Sequence, residues 1–160
     1  MKSKFTLFCV ICLLSTATVF GFDGPGTPNS VAYNNIVKQF IDCHMTADSK
    51  KLDRILSDDA TFKIPRGEKT YIQSKQNLIK QMKAEAGTQQ NCESNYEILA
   101  ESDAVVLARV HFVYGNTCQC NYLTIQKNAD NEWKITQVYK FFKESKGDEA
   151  TMPVTASTKQ

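Results

Sequence analysis

The chain lacks a surplus of charge of either sign, a run of basic residues and an internal repeat. Its 160 residues include 19 Lys and Arg against 17 Asp and Glu. Removing residues 1–21 takes away two lysines and no acidic residue, which leaves 17 charges of each sign. A neutral chain without a basic cluster gives no electrostatic reason to expect nucleic acid or an anionic membrane as a partner.

Long apolar stretches are also missing, apart from one at the N-terminus. Residues 5–20 are mostly apolar and uncharged, follow Lys2 and Lys4, and end in small residues at Gly21. This pattern is typical of a secretory signal peptide and is too short to span a bilayer as a mature helix. We expect cleavage after residue 21 and a secreted or periplasmic protein with no membrane association afterwards; a retained anchor is the alternative.

The rest of the chain is long enough for one domain with its own core. Residues 22–30 contain two Gly and two Pro and are predicted to be a flexible lead-in. The domain is predicted over residues 31–143, and residues 144–160 are polar and predicted to be a disordered tail.

Four cysteines remain after cleavage: Cys43, Cys92, Cys118 and Cys120. In an exported protein they can pair, and four cysteines allow three pairings. A bond from Cys92 to Cys118 or Cys120 is the pairing we favour here. The Cys-x-Cys spacing also suggests zinc, but structural zinc sites usually have wider spacing and further Cys or His ligands. The sequence prediction is therefore no metal and no cofactor.

Hydrophobic periodicity places helices before strands. Apolar residues recur at helical spacing from Tyr33 to His44, and shorter helices are predicted over residues 49–56 and 74–86. Strands are predicted over residues 58–64, 69–72, 94–100, 104–114, 118–127 and 132–142, the last four as an antiparallel meander. Helices followed by an antiparallel sheet indicate an α+β domain with a helical layer on one sheet face.

Alternation along the strands divides the sheet into two apolar faces. One helical layer covers only one face, so the other face needs a second partner, and a homodimer is the simplest. One face is predicted to carry Tyr96, Ile98, Val106, Ala108, Val110, Phe112, Tyr114, Cys120, Tyr122, Thr124, Val138 and Phe142. The other is predicted to carry Glu97, Leu99, Val105, Leu107, Arg109, His111, Val113, Leu123, Ile125, Trp133, Ile135 and Tyr139.

Residues 31–143 resemble the NTF2-like superfamily, which includes ketosteroid isomerase and the SnoaL-like and lumazine-binding-like proteins. The resemblance rests on Phe40, Leu52 and Leu56, on the Asp58-Asp59-Ala60-Thr61 segment, and on the closing Trp133-Lys134-Ile135. It implies a cone-shaped roll: three N-terminal helices packed on a curved, mainly antiparallel sheet, with an apolar pocket in its mouth. It also implies that the face with Val110, Phe112 and Val138 is the inner one. The other face, with Leu107, Leu123, Trp133 and Ile135, would then form the dimer.

Ketosteroid isomerisation needs a carboxylate base, and a Tyr and a protonated acid that donate to the oxyanion. By the resemblance, Phe40 stands at the Tyr position and Ile64 at the base position. The acid position falls near Tyr122 or Thr124. None of these side chains performs the required role, so this reaction is excluded and the prediction leans against an enzyme.

Other polar residues are weaker candidates for chemistry. His44 lies near the inward stripe of the first helix and is the one candidate base of an isomerase or dehydratase. His111, Arg109 and Glu97 share the outer face and suggest a polar rim or a dimer salt bridge. Asp58 and Asp59 suggest turn or cap residues rather than a catalytic pair.

The sequence therefore predicts an exported NTF2-like domain that binds a small apolar molecule without catalysis. The alternatives are an enzyme that uses His44 and a dimeric interaction module. The predicted ligand-binding residues are Phe40, His44, Ile64, Tyr96, Val110, Phe112, Tyr122 and Val138.

Overall fold

Residues 28–144 form three helices and six strands in the order that the sequence predicts. A computed structural model describes residues 28–144, and the predicted signal peptide and nearly all of the tail lie outside this range. The first helix begins at Pro28, so the last three residues of the predicted lead-in are helical. The elements are α1 (Pro28–Thr46), α2 (Ser49–Ile55), β1 (Leu56–Arg66), β2 (Lys69–Ser74), α3 (Lys75–Ala84), β3 (Glu93–Glu101), β4 (Val105–Tyr114), β5 (Thr117–Lys127) and β6 (Trp133–Glu144).

Local capping defines where the two short helices begin. The Asp48 carboxylate accepts a hydrogen bond from the backbone N–H of Lys51 at 2.9 Å, which caps α2. The Ser74 hydroxyl accepts from the backbone N–H of Asn77 and caps α3. Each cap satisfies a backbone donor that has no partner inside its helix. These caps define the first residues of α2 and α3.

The sheet has the strand order β2-β1-β6-β5-β4-β3. Strands β3 to β6 form the predicted antiparallel meander, and β1 also pairs antiparallel with β2. Only the β1–β6 contact is parallel among the described strands, and it joins the two halves of the sheet. Strand β1 begins at Leu56, directly after α2, so Asp58 and Asp59 lie inside it and the prediction that they are turn or cap residues was wrong.

The face predicted for β5 was wrong, because a two-residue turn sets its register. Tyr114 pairs with Thr117 across Gly115 and Asn116, and Gly115 has a φ of +55° that favours glycine. In this register even-numbered residues of β4 share a face with odd-numbered residues of β5. Phe112 therefore lies opposite Gln119 on the helix-covered face, and Tyr122 lies on the outer face.

The faces predicted for the start of β6 were also wrong, because a bulge reverses the alternation. Leu123 pairs with Val138 but Ile125 pairs with Ile135, so one extra residue of β6 lies between these pairs. Ile135 and Val138 both face the helices as a result. Leu123, Trp133 and Ile135 are buried in the core and do not form an outer surface as predicted; of the four predicted dimer residues only Leu107 is exposed.

The outer face is the side of β3 to β6 that the helices leave uncovered. Tyr122 stacks on Phe141 there with ring centroids 5.5 Å apart, and Arg109 pairs with Glu97. The face combines aromatic rings with charged groups and is less apolar than predicted. Its central residues are Glu97, Leu107, Arg109, His111, Val113, Cys118, Cys120, Tyr122, Tyr139 and Phe141.

The core lies between the helices and the inner sheet face. Val37 and Phe40 of α1 and Leu52 of α2 pack against the inner face of the strands. None of the helices in the described range has the length and apolar character needed to cross a membrane. The strand residues of this core are Phe62, Val106, Ala108, Val110, Phe112, Leu123, Ile125, Ile135 and Val138.

Candidate ligand-binding pocket

A small cavity remains at the end of the core where α1 and α3 approach the middle of β5 and β6. Its volume is about 30 Å³. One water molecule fills a space of this size, and a drug-sized ligand needs several hundred Å³. The side chains that line it are Phe40, His44, Leu52, Phe62, Leu78, Met82, Gln119, Asn121 and Lys140.

His44 enters this pocket from the last turn of α1. Its Nε2 lies 2.7 Å from the Tyr114 hydroxyl, and its ring packs on Phe112 with centroids 3.9 Å apart. The Tyr114 hydroxyl also donates to Gln90 Oε1 at 3.3 Å. Burial, and next the positive charge of Lys140, lower the pKa of His44 to about 4. The imidazole is therefore neutral at neutral pH.

Lys140 of β6 places an ammonium group in the same pocket. It pairs with Asn121 in the register of β5 and β6, which puts both residues on the inner face. Burial lowers its pKa, while the negative charge of Glu85 acts in the opposite direction. Within residues 28–144 no carboxylate comes within 4 Å of this ammonium, so the charge has no ion-pair partner in the described part.

Two buried amides complete the polar side of the pocket. Asn121 is fully buried, and Gln119 is 5% exposed. Gln119 Nε2 donates to Asn121 Oδ1 at 3.3 Å, and Asn121 Nδ2 approaches the carbonyl oxygen of Val110 at 3.5 Å. Polar side chains at the bottom of an apolar cavity commonly orient a ligand. The arrangement offers hydrogen-bond donors and one positive charge, and no lining residue carries a carboxylate.

The structure brings together only part of the predicted site. Phe40 and His44 line the cavity, while Val110, Phe112 and Val138 belong to the buried core beside it. Ile64 and Tyr96 are half-buried and lie outside the cavity lining. Tyr122 faces the opposite side of the sheet. Whether any of these residues contacts a ligand stays a prediction.

Sequence reasoning did not identify Gln119, Asn121 and Lys140 as pocket residues. The sequence feature that indicates them is the Gly115-Asn116 turn. Because this turn has two residues, odd-numbered residues of β5 lie on the inner face of the sheet. Of the residues at the positions of the isomerase catalytic groups, Phe40 lines the pocket, whereas Tyr122 and Thr124 lie on the outer face. The predicted ligand-binding residues Tyr96 and Tyr122 do not line the cavity, and its polar part consists of two amides, an ammonium and an imidazole.

A larger groove of about 460 Å³ lies outside the core, between α2, the start of β1 and α3. The buried Lys75 ammonium lies 3.0 Å from Asp58 Oδ1 and 3.3 Å from Asp53 Oδ1. It also donates to the carbonyl oxygen of Leu56. These groups satisfy one another and join α3 to α2 and β1. We therefore assign the groove a structural role.

The four cysteines of the described part are thiols, with no disulfide among them. Cys92 Sγ lies 3.4 Å from Met45 Sδ, on the helical side of the sheet, whereas Cys118 and Cys120 lie on the outer face. The favoured pairing of Cys92 with either of them is therefore absent from this structure, because the sheet separates the partners.

Comparison with known families identifies the fold. Residues 29–143 match a family model described as "Putative lumazine-binding". No curated protein sequence matches the chain.

Many solved structures share the architecture. An NTF2-like protein from Silicibacter pomeroyi DSS-3 is 13% identical, with a TM-score of 0.60 over 73% of this chain and 96% of its own. An NTF2-like protein from Shewanella baltica OS155 is 14% identical, with a TM-score of 0.60 over 76% of this chain and 100% of its own. A ketosteroid isomerase-like protein from Erwinia carotovora atroseptica SCRI1043 is 11% identical, with a TM-score of 0.55 over 76% of this chain and 99% of its own. At these identities the structures establish the fold alone. The chain belongs to the lumazine-binding-like family of the NTF2-like superfamily and has its α+β cone fold.

Proposed function

We propose that this protein binds a small molecule in the inner pocket and holds a carbonyl or carboxylate oxygen of that ligand with Lys140. One observation carries this proposal: a half-buried ammonium lies in an otherwise largely apolar cavity, and no carboxylate of the described part of the chain lies within 4 Å of it. The proposed ligand is mainly apolar, as the sequence predicts, but has one polar end.

The cost of burying a charge supports a ligand oxygen at this position. Removing an ammonium from water is unfavourable unless an anion or several acceptors replace the water. Charge-assisted hydrogen bonds to a carboxylate or carbonyl supply that replacement. Asn121 and Gln119 lie on the same strand face and can orient the group that Lys140 binds.

The pocket must enlarge for any ligand larger than a few atoms. Leu78 and Met82 of α3 form its cover, and both are half-buried rather than fixed in the core. The unbranched Met side chain adapts its shape easily. We therefore expect ligand entry to displace these two side chains while the strand residues stay in place.

We propose a binding role without catalysis. An efficient general base needs a pKa near the working pH, and that of His44 is about 4. The cavity lining also supplies no carboxylate. The alternative, an enzyme that uses His44 as base, is favoured only by the position of this ring in the pocket. Loss of ligand turnover in His44→Gln, with binding retained, would support it.

Lumazine, the molecule in the family description, is the first probe because it combines a flat ring system with two carbonyl oxygens. We expect saturable binding in a fluorescence titration, weakened at least ~10-fold by Lys140→Met, which removes one charge-assisted contact. Lys63→Met is the matched control, because Lys63 lies beside Tyr139 on the other side of the sheet. Equal weakening in both variants, or none in either, would contradict the site.

We further propose that the protein is exported after cleavage near residue 21 and forms a homodimer. The N-terminal pattern Lys2, Lys4 and the apolar run supports export. N-terminal sequencing of the protein from its producing cells tests this proposal. The exposed Leu107 and Tyr139 on the outer face support the dimer. The interface we propose differs from the one predicted from sequence, since Leu123, Trp133 and Ile135 belong to the core.

A further inference from the structure

We propose that His111, Cys118 and Cys120 form a binding site for a thiophilic metal ion, Zn²⁺ or Cu⁺, on the outer face of the sheet. One imidazole nitrogen and two sulfur atoms, one from each residue, lie within 4.8 Å of one another. This cluster is separate from the inner pocket, on the opposite side of β5. Thiolate and imidazole are the ligands that both of these ions prefer.

The strand register creates the cluster. His111 of β4 pairs directly with Cys120 of β5, and Cys118 is two residues earlier on the same face. The two-residue turn at Gly115 and Asn116 holds this register, and the antiparallel pairs on either side are continuous. The three donors therefore come from the interior of a regular β-hairpin, which positions ligands more firmly than a loop does.

The sulfur positions suit a bound metal. Two thiolates that each lie 2.3 Å from Zn²⁺ at a tetrahedral angle are about 3.8 Å apart. Cys118 Sγ and Cys120 Sγ are 3.7 Å apart. A disulfide needs about 2.05 Å, and same-face residues two apart on a strand lie at the upper limit of the Cα distance that a disulfide tolerates. The present spacing of these thiols therefore fits metal coordination better than a direct bond.

Burial and charge are also consistent with this site. Cys118 and Cys120 are 4% and 1% exposed, while His111 is half-buried and gives the cluster its solvent side. Two thiolates and a neutral imidazole balance the charge of Zn²⁺, and a water molecule can supply the fourth ligand. With Cu⁺ the three-ligand site carries one negative charge, and the basic residue Lys143 of β6 lies opposite Cys118 in the strand register.

Metal binding by the purified, reduced and metal-free protein tests the proposal, with Zn²⁺ alone and Cu⁺ alone as probes. After dialysis, we expect elemental mass spectrometry to give a metal content of one ion per protein chain. Residues that hydrogen-bond to a metal ligand typically contribute ~10- to 100-fold to metal affinity. Because Cys118 and Cys120 are proposed to bind the metal directly, we expect Cys118→Ser and Cys120→Ser to lose more affinity than this. Cys92→Ser is the matched control, because this half-buried thiol lies on the other side of the sheet; it should bind as the wild type does.

A second readout is the visible absorption of Co²⁺, which is measured first in the wild-type protein. Co²⁺ in the wild-type protein should give a thiolate charge-transfer absorption and the strong visible bands of a tetrahedral site, and His111→Asn should alter those bands. Absence of stoichiometric binding of both Zn²⁺ and Cu⁺ to the wild type would overturn the proposal. A bond between Cys118 and Cys120 in the isolated protein, together with no metal uptake after reduction, would also overturn it and indicate a redox pair.

Discussion

At the scale of single residues, burial opposes a positive charge on both His44 and Lys140. The pKa of His44 is lowered to about 4, so its imidazole is neutral at neutral pH. Burial lowers the pKa of Lys140, which lies beside two buried amides, while the negative charge of Glu85 raises it. Two basic groups in one small cavity are consistent with the proposed ligand, which offers an oxygen atom to this pocket. The same arrangement makes the stability of the fold depend on pH.

The pH dependence follows from the lowered pKa of His44. Between its ordinary value of 6.5 and about 4 the unfolded chain binds a proton that the folded protein does not. The free energy of unfolding should therefore fall as the pH is lowered through this window, by at most roughly 3 kcal/mol from this residue. Chemical denaturation at several pH values measures it, and His44→Gln should flatten the curve.

His111→Gln is the matched control, since the chain contains two histidines. Measured without metal ions, this variant shows how much of the pH dependence comes from the second histidine, so that the contribution of His44 can be separated. An unchanged slope in His44→Gln would show that the His44 ring is not buried as described.

The buried Lys75 gives a second prediction at this scale. Its ammonium connects Asp58 of β1 and the backbone of Leu56 to the start of α3. Lys75→Ala removes these bonds, leaves a buried carbonyl group without this donor and should lower the free energy of unfolding by about 1–3 kcal/mol. Lys80→Ala, on the exposed side of the same helix, should change it by less than about 0.5 kcal/mol. Thermal denaturation of both variants separates the two cases.

At the scale of elements, sequence periodicity predicts the helices and strands but not the faces of the last two strands. Both faces of β5 are partly apolar, so its alternation alone does not distinguish inside from outside. The length of the turn before it and the bulge in β6 make that distinction. The polar half of the pocket, Gln119, Asn121 and Lys140, depends on this register. Most of the fold was therefore predictable, whereas only Phe40 and His44 of the site were.

The register of β5 can be tested by two adjacent substitutions. Leu123 is buried against the core, whereas its neighbour Thr124 lies on the outer face. Leu123→Asp places a charge in the core and should prevent folding. Thr124→Asp should fold with a loss of about 1 kcal/mol or less, because its side chain keeps access to water. Circular dichroism of both proteins decides the matter, and the opposite order would restore the face assignment predicted from sequence.

At the scale of the whole molecule, the uncovered sheet face determines the proposed assembly. Leu107 and Tyr139 expose about two fifths of their surface there, at 42% and 40%. We expect a homodimer in sedimentation velocity experiments, converted to monomer by Leu107→Glu. Val31→Glu is the control, because this exposed residue lies on α1 on the other side of the sheet. A wild-type protein that stays monomeric at micromolar concentration would contradict the dimer.

Native mass spectrometry of the protein purified from its own compartment tests the central claim most directly. The proposed binding role predicts a reproducible small-molecule mass on the wild-type protein. The same mass should be lost from Lys140→Met and kept in Lys63→Met. An adduct that remains in Lys140→Met at the wild-type level would contradict the pocket, and a wild-type protein without any adduct would contradict the binding role.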